Sequence, residues 1–388
     1  MVRDWPPLDQ GVLPRVSIVI PVNDRPVDLR TCLLSLAQLD YPQDLLEVIV
    51  VDDGSSDSTP QVAVELGAKL VESGLVGGGP AAARNKGASV ASGEILAFID
   101  SDCTASPEWL QELLPAFRDE DVAAVGGWVD GMHSASSLDR YEAVMSSLNL
   151  GRRAMTGGAG GDTFYLPSCN LLMRKKAFDE AGGFNASMHV GEDVDLTWRL
   201  RDGGWTIVYL PKGSVCHAHR SLLWPFMKRR FDYGTSEGAL QQLHPVRGKK
   251  LLMPPMPAGV VGLLALALVL MTPWPLLPAL GLSLADMFMT RKRVLKQGAK
   301  LSLKKLVLAR LRATGSLSYY VSFHLLRYYM VPMLLLSLLF PPFFLLLGIM
   351  LMGVASMDHY VRKSQLFLPL FWFYYLLEDV SYGSGVFM

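Results

Sequence analysis

Three short apolar runs, each stopping on acidic residues, constrain this chain more than any other feature. Val16–Val22 (VSIVIPV) runs into Asn23-Asp24, residues 47–51 (EVIVV) stop at Asp52-Asp53-Gly54, and residues 94–99 (EILAFI) stop at Asp100-Ser101-Asp102. Runs of this kind, rich in β-branched residues, suit strands buried on both faces. Helical patterns separate them. Residues 25–39 carry Leu29, Cys32, Leu33 and Leu36 at helical spacing, residues 58–66 follow a Ser/Asp cluster suited to capping, and residues 80–91 are small. Alternating β and α segments predict a mostly parallel sheet flanked by helices. Such sheets bind ligands beyond the carboxyl ends of their strands, where the acidic clusters fall.

The pattern continues less regularly. Residues 69–71 read as a short strand and 122–129 as one strand passing through Gly126-Gly127. The glycine-rich stretch 151–161 reads as a mobile loop, followed by a helix over 193–201 and a strand over 206–209.

Charge is balanced overall, with 36 basic and 36 acidic residues, but it is not evenly spread. Residues 1–256 hold 24 Lys+Arg against 32 Asp+Glu, and the remainder holds 12 against 4. An acidic first part speaks against nucleic acid as a partner. The basic remainder lies among apolar segments, which points to a lipid bilayer. Cys32, Cys103, Cys169 and Cys216 show neither a disulfide framework nor zinc-ligand spacing, and read as reduced thiols on the cytoplasmic side. The first residues, MVRDWPPLDQ, lack the apolar core of a secretory signal.

Residues 251–290 carry one charge, Asp286, and are broken by Pro273, Pro275 and Pro278, which predicts a membrane helical hairpin. Residues 291–312 hold nine basic residues and no acid, and read as an amphipathic helix on the cytoplasmic membrane surface. Residues 331–356, interrupted by Pro341-Pro342, are either a kinked span or a re-entrant hairpin. The expected organisation is an N-terminal tail (1–13), a catalytic domain (14–245), the hairpin (251–290), a basic interfacial segment (291–328) and a C-terminal membrane or interfacial segment (329–388).

Two carboxylates one residue apart at a strand end, Asp100 and Asp102, form a hard-oxygen site suited to Mg2+ or Mn2+ bridging a diphosphate. Acidic pairs also end strands as solvated turns, so the neighbouring motifs decide. Carboxylates in the Pro21-Val22-Asn23-Asp24 and Asp52–57 segments can accept hydrogen bonds from a base and from ribose hydroxyls. The segment GPAAARNKG (79–87) lets backbone approach a ligand and supplies Arg84 as a cation.

In order and spacing, VSIVIPVND, VVDDGSSDST, GPAAARNKG and AFIDSD resemble the family-2 glycosyltransferases over residues 14–220. The resemblance implies a Rossmann-like GT-A nucleotide-sugar-binding domain with a mixed, mostly parallel sheet, plus C-terminal membrane helices. It places Pro21, Asn23, Asp24 and Asp53 at base and ribose, Arg84 at the nucleotide pocket, and Asp100 with Ser101 at ribose or metal. Asp102 becomes the principal metal ligand, with His219 as a further ligand and His217 the weaker candidate. Within Gly191-Glu192-Asp193, Asp193 is the expected base and Glu192 orients it or the acceptor. Lys228, Arg229 and Arg230 resemble a basic-aromatic element beneath the diphosphate, and serve equally as lipid headgroup contacts. Trp128 is a candidate for stacking on a sugar ring.

A finer resemblance, carried by FDYGTS (231–236), His244-Pro245 and LEDVSYGSGV (377–386), is to the membrane glycosyltransferase branch of the mycofactocin system. The expected function is a membrane-associated, metal-dependent inverting transferase moving a hexose, by preference glucose, from a UDP-sugar to an acceptor glycan, lipid or modified peptide. Its expected setting is the cytoplasmic membrane, multi-pass, with the catalytic domain facing the cytoplasm. Transfer to a polyprenyl phosphate, a lipid or a growing polysaccharide is the alternative within the class. A silent nucleotide-sugar-binding membrane scaffold is the alternative outside it.

Overall fold

In the computed structural model, which describes residues 5, 13–74, 76–247, 253–299 and 302–388, the chain forms two compact units. The expected tail (1–13) lies outside the described residues except for Trp5 and Leu13. The first unit comprises Met1–Pro225 and Ser236–Gly248; the second comprises Phe226–Thr235 and Lys249–Met388.

In the first unit the apolar runs become β1 (Val16–Val22), β2 (Leu46–Asp52), β3 (Lys69–Glu72) and β4 (Ile95–Ile99). They are joined by helices α1 (Pro26–Leu36), α2 (Thr59–Glu65) and α3 (Gly79–Val90). The later segments give β5 (Cys103–Ala105), α4 (Trp109–Leu113), β6 (Val122–Gly126), β7 (Val129–Gly131), α5 (Ser137–Met145), β8 (Met155–Gly157), β9 (Asn170–Arg174) and α6 (Lys175–Glu180). After them come α7 (Glu192–Asp202), β10 (Thr206–Tyr209) and β11 (Val215–His217). Among the described residues the main sheet runs β3-β2-β1-β4-β9-β6-β10-β8, and a small sheet runs β5-β11-β7. The β1–β4 pairs are parallel, whereas β9 is antiparallel to both its neighbours, which makes the sheet mixed.

Alternation along β1 explains the two cores. Ile18 and Ile20 face Leu29 and Leu33 of α1 and Val62 of α2, while Val19 faces Ala83 of α3 and Phe98. Helices α1 and α2 thus cover one face and α3 the other, so the chain reverses direction between β1 and β4. That reversal is a topological switch point, and the crevice beyond its carboxyl ends is where such sheets bind ligands.

The small residues of α3 serve packing. A Cβ at Gly87 would lie 2.4 Å from Val19 Cγ1, so only glycine lets this helix seat on β1. Two expected elements differ. The single strand over 122–129 is two strands in different sheets, because the chain turns at Gly127, where a Cβ would meet the Gly213 carbonyl at 2.4 Å. The glycine-rich loop includes edge strand β8, paired antiparallel with β10. Arg201 further ties it down by donating to the Gly158 carbonyl.

Helix α8 (Leu223–Leu243) contributes residues to both units. The second unit continues with α9 (Pro255–Val269), α10 (Leu276–Lys296), α11 (Leu303–Leu339), α12 (Pro342–Val361) and α13 (Leu368–Val386). Among the described residues, α11 and α12 are long and apolar enough to cross a bilayer. Helices α9 and α10 pair as the expected hairpin, but at 15 residues α9 measures about 22 Å, short of the hydrocarbon core. The basic stretch is not one helix: α10 ends at Lys296, and Gly298, at φ 78°, turns the chain before α11. Residues 331–356 resolve into the end of α11 and most of α12, separated at Pro341. Helix α11 departs from helical geometry at Tyr329, three residues before Pro332.

Glycines set a close helix crossing in the second unit. A Cβ at Gly234 would lie 2.2 Å from the Tyr382 carbonyl, and one at Gly385 2.1 Å from the Phe231 carbonyl, so α8 and α13 touch backbone to backbone.

Candidate active site

The switch-point loops are joined by their own side chains. Asp24, held at φ 50°, accepts from the Ser56 N–H at 2.7 Å, and its own N–H donates to Ser55 Oγ. The Asn23 amide donates to the Asp53 carbonyl. Asp53 accepts from Ser73 Oγ at 2.8 Å and from the N–H groups of Gly78 and Gly79 at 3.2 and 2.8 Å. Three of roughly four acceptor positions on its carboxylate therefore hold the entry to α3. Asp52, its neighbour, accepts from the Ser55 N–H through one oxygen. The other oxygen is buried and unpartnered, an unmet acceptor at the end of β2 that the spacing of the motif did not single out. Pro21 is the penultimate residue of β1, just before these loops, and Ser101 is buried between the two acidic residues of the DSD segment.

Arg84 organises the site. Only 3 % exposed, it donates to Asp100 Oδ1 at 2.6 Å and to Glu192 Oε1 at 2.9 Å, and lies over the Phe184 ring. One guanidinium thus joins the end of β4 to the start of α7, the second of these 108 residues along the chain from Arg84. Its fork geometry suits this bridging in a way a lysine ammonium does not.

Asp193 stands half-buried in the first turn of α7, accepting from the Ser168 N–H at 3.1 Å and the Val194 N–H at 2.8 Å. Burial and, second, the adjacent Glu192 charge push its carboxyl up to about 7, against the pull of those N–H groups and Arg84. A carboxylate so poised exchanges protons near neutral pH. Gly191, at φ 84°, sets the turn into α7, and His244 locks the helix from its other side by bonding Asp195 at 2.9 Å. His244 was read only as part of a motif; its bond to Asp195 is a tertiary contact 49 residues distant.

Asp102 lies between Arg25, 3.4 Å from Oδ2, and His217, whose Nε2 is 3.5 Å from Oδ1. His217, the weaker candidate, is thus within reach of Asp102. His219 Nδ1 lies 3.2 Å from His217 Nδ1 and 3.9 Å from a Glu142 carboxylate oxygen. Oxygen from Asp102 and nitrogen from His217 fit a divalent ion such as Mn2+. Trp128 is half-buried, with its backbone bridging Lys212 and Val215. Lys228, Arg229 and Arg230 belong to the second unit. There Lys228 is exposed, Arg229 lies over the Tyr233 ring, and Arg230 is buried 3.5 Å from Glu378.

A mixed sheet whose switch point gathers acidic loops, with a DSD segment facing a second acidic pair, is the arrangement of the GT-A fold. The fold is shared with a mannosyltransferase from Pyrobaculum calidifontis solved in complex with GDP-Man and Mn2+, at TM-score 0.50 and 20% identity over 94% of this chain and 92% of that one. Residues 17–182 match the family model of glycosyl transferase family 2. The pre-mycofactocin glycosyltransferase of Mycobacterium tuberculosis is 37% identical over 234 residues, covering 59% of this chain and 48% of that protein. The beta-monoglucosyldiacylglycerol synthase of Trichormus variabilis is 30% identical over 215 residues, covering 51% and 43%. The chain thus spans about half the length of these two curated relatives.

Proposed function

We propose that the protein is an inverting glycosyltransferase that moves a hexose, glucose by preference, from a UDP-sugar to an acceptor hydroxyl at a membrane. The observation that carries this reading is the Arg84 bridge, which brings the DSD end of β4 and the Glu192-Asp193 pair into one site. In an inverting transfer the donor leaves from one face of the anomeric carbon and the acceptor arrives at the other. Asp193 takes the acceptor's proton, and its raised pKa suits that work near pH 7. Glu192, paired with Arg84, orients the Asp193 end of α7. Asp24 and Asp53 shape the β1 and β2 loops around base and ribose, with the unmet Asp52 oxygen as an acceptor there. Asp102 with His217 would hold Mg2+ or Mn2+, which would supply Lewis-acid stabilisation of the departing nucleoside diphosphate.

The relatives' names support two acceptor classes. Pre-mycofactocin favours a peptide-derived acceptor, and the higher identity makes it the first choice; diacylglycerol favours a lipid. Helices α11 and α12 support association with the bilayer, and the basic stretch 291–312 supports a cytoplasmic orientation. The test is UDP release by the purified protein with UDP-glucose, UDP-galactose and UDP-N-acetylglucosamine, with and without Mn2+, followed by mass spectrometry of the acceptor. Metal-dependent release with UDP-glucose is expected; none with any donor would favour the silent scaffold.

A further inference from the structure

The site around Asp102 contains a ligand that a magnesium or manganese site does not need. Cys103 is the cross-strand partner of His217 in the β5–β11 pair, so the two side chains leave the small sheet on the same face. Asp102 precedes it directly. One oxygen of Asp102, the Cys103 sulfur and one ring nitrogen of His217 all lie within 4.8 Å of one another. The Cys103 side chain is 1 % exposed and also meets the Cys169 thiol.

The donor types bear on the ion, since carboxylate oxygen and imidazole nitrogen both occur as zinc ligands. Sulfur adds to the preference, since thiolates select Zn2+ over Mg2+, and imidazole suits Zn2+ too.

We propose that Asp102, Cys103 and His217 form a thiophilic metal site, which takes Zn2+ or Co2+ through oxygen, sulfur and nitrogen. The proposal rests on the assignment of Asp102 as a metal ligand and adds the sulfur. On binding, the Cys103 thiol gives its proton to solvent and the sulfur bonds the ion, with no change of oxidation state. The consequence is that Zn2+ competes with the Mg2+ or Mn2+ of turnover for the same carboxylate.

The test is a Co2+ titration of the full-length protein in detergent, read by the near-ultraviolet sulfur-to-cobalt charge-transfer band. The band is expected in the native protein and in Cys169→Ser, to vanish in Cys103→Ser, and to be displaced by Zn2+. His217→Ala, which leaves every thiol in place, should weaken Co2+ binding. No band in the native protein, an undiminished band in Cys103→Ser, or unchanged cobalt affinity in His217→Ala would overturn the site. Mn2+-dependent UDP release from the same native preparation separates the two readings. Release without the band defeats the sulfur ligand alone, whereas the band without release defeats the transferase.

Discussion

Replacing Asp193 with Asn should slow transfer and, at the same time, remove a fall in stability with rising pH. The carboxyl has an ordinary value of 3.8 and is pushed up to about 7 in the fold. Between those values the native state binds more protons than the unfolded chain, so stability falls as pH rises through this window. Below about pH 4 the penalty is absent; above pH 7 it is complete. The full shift corresponds to about 4 kcal/mol, and partial solvent contact reduces this to about 1–3 kcal/mol. Asparagine carries no charge and so escapes the penalty, but it keeps one acceptor oxygen where Asp193 uses both, one for the Ser168 N–H and one for the Val194 N–H, which costs about 1–3 kcal/mol at either pH. The stability of the variant relative to native should therefore rise by about 1–3 kcal/mol between pH 4.5 and pH 8. Its turnover should fall by about 10²–10⁴, the contribution of a positioned base. Paired melting curves at the two pH values and UDP release with UDP-glucose provide the assay. Turnover within tenfold of native would remove Asp193 from the role of base. A stability difference between variant and native that does not change from pH 4.5 to pH 8 would show that the carboxylate's charge is welcome where it stands.

Three further outcomes follow from other contacts. Arg84→Met leaves Asp100 and Glu192 without their shared cation, and should cost about 3–5 kcal/mol in denaturant titration, more than truncating any exposed ion pair. At Glu47, burial would raise the pKa, but hydrogen bonds from Ser92 and Ser17 and from Lys69 pull it down to about 2, so its contribution is present at neutral pH and lost as pH falls from about 4.5 towards 2. Glu47→Gln should therefore lower stability by about 1–2 kcal/mol at pH 7 and have almost no effect at pH 2. Gly385→Ala, which sets a methyl 2.1 Å from the Phe231 carbonyl, should force α8 and α13 apart and cost about 1–3 kcal/mol, read as a lower melting temperature in detergent.

Much of the first unit was legible because its signals are local. A strand buried on both faces writes itself as VSIVIPV, and the acidic residues that end such strands must lie at the carboxyl edge whatever the rest of the chain does. The boundaries of α1, α2, α3 and α7 fall within three residues of those expected, since proline and glycine mark their ends. The division of 122–129 was not legible, because Gly127 turns for want of room beside Gly213 and Asn170, and that crowding comes from distant segments.

Local pattern alone thus determined the alternation of strand and helix, the edge of the sheet that carries acid, and the apolar character of the last 130 or so residues. Tertiary structure decided which side chain meets which. It gave Arg84 two carboxylates, filled the Asp53 carboxylate with loop donors, left an Asp52 oxygen unmet, and set His217 and Cys103 beside Asp102. Periodicity specifies the face a residue occupies, within one element; partners are chosen by the order in which strands enter the sheet, which no single segment encodes.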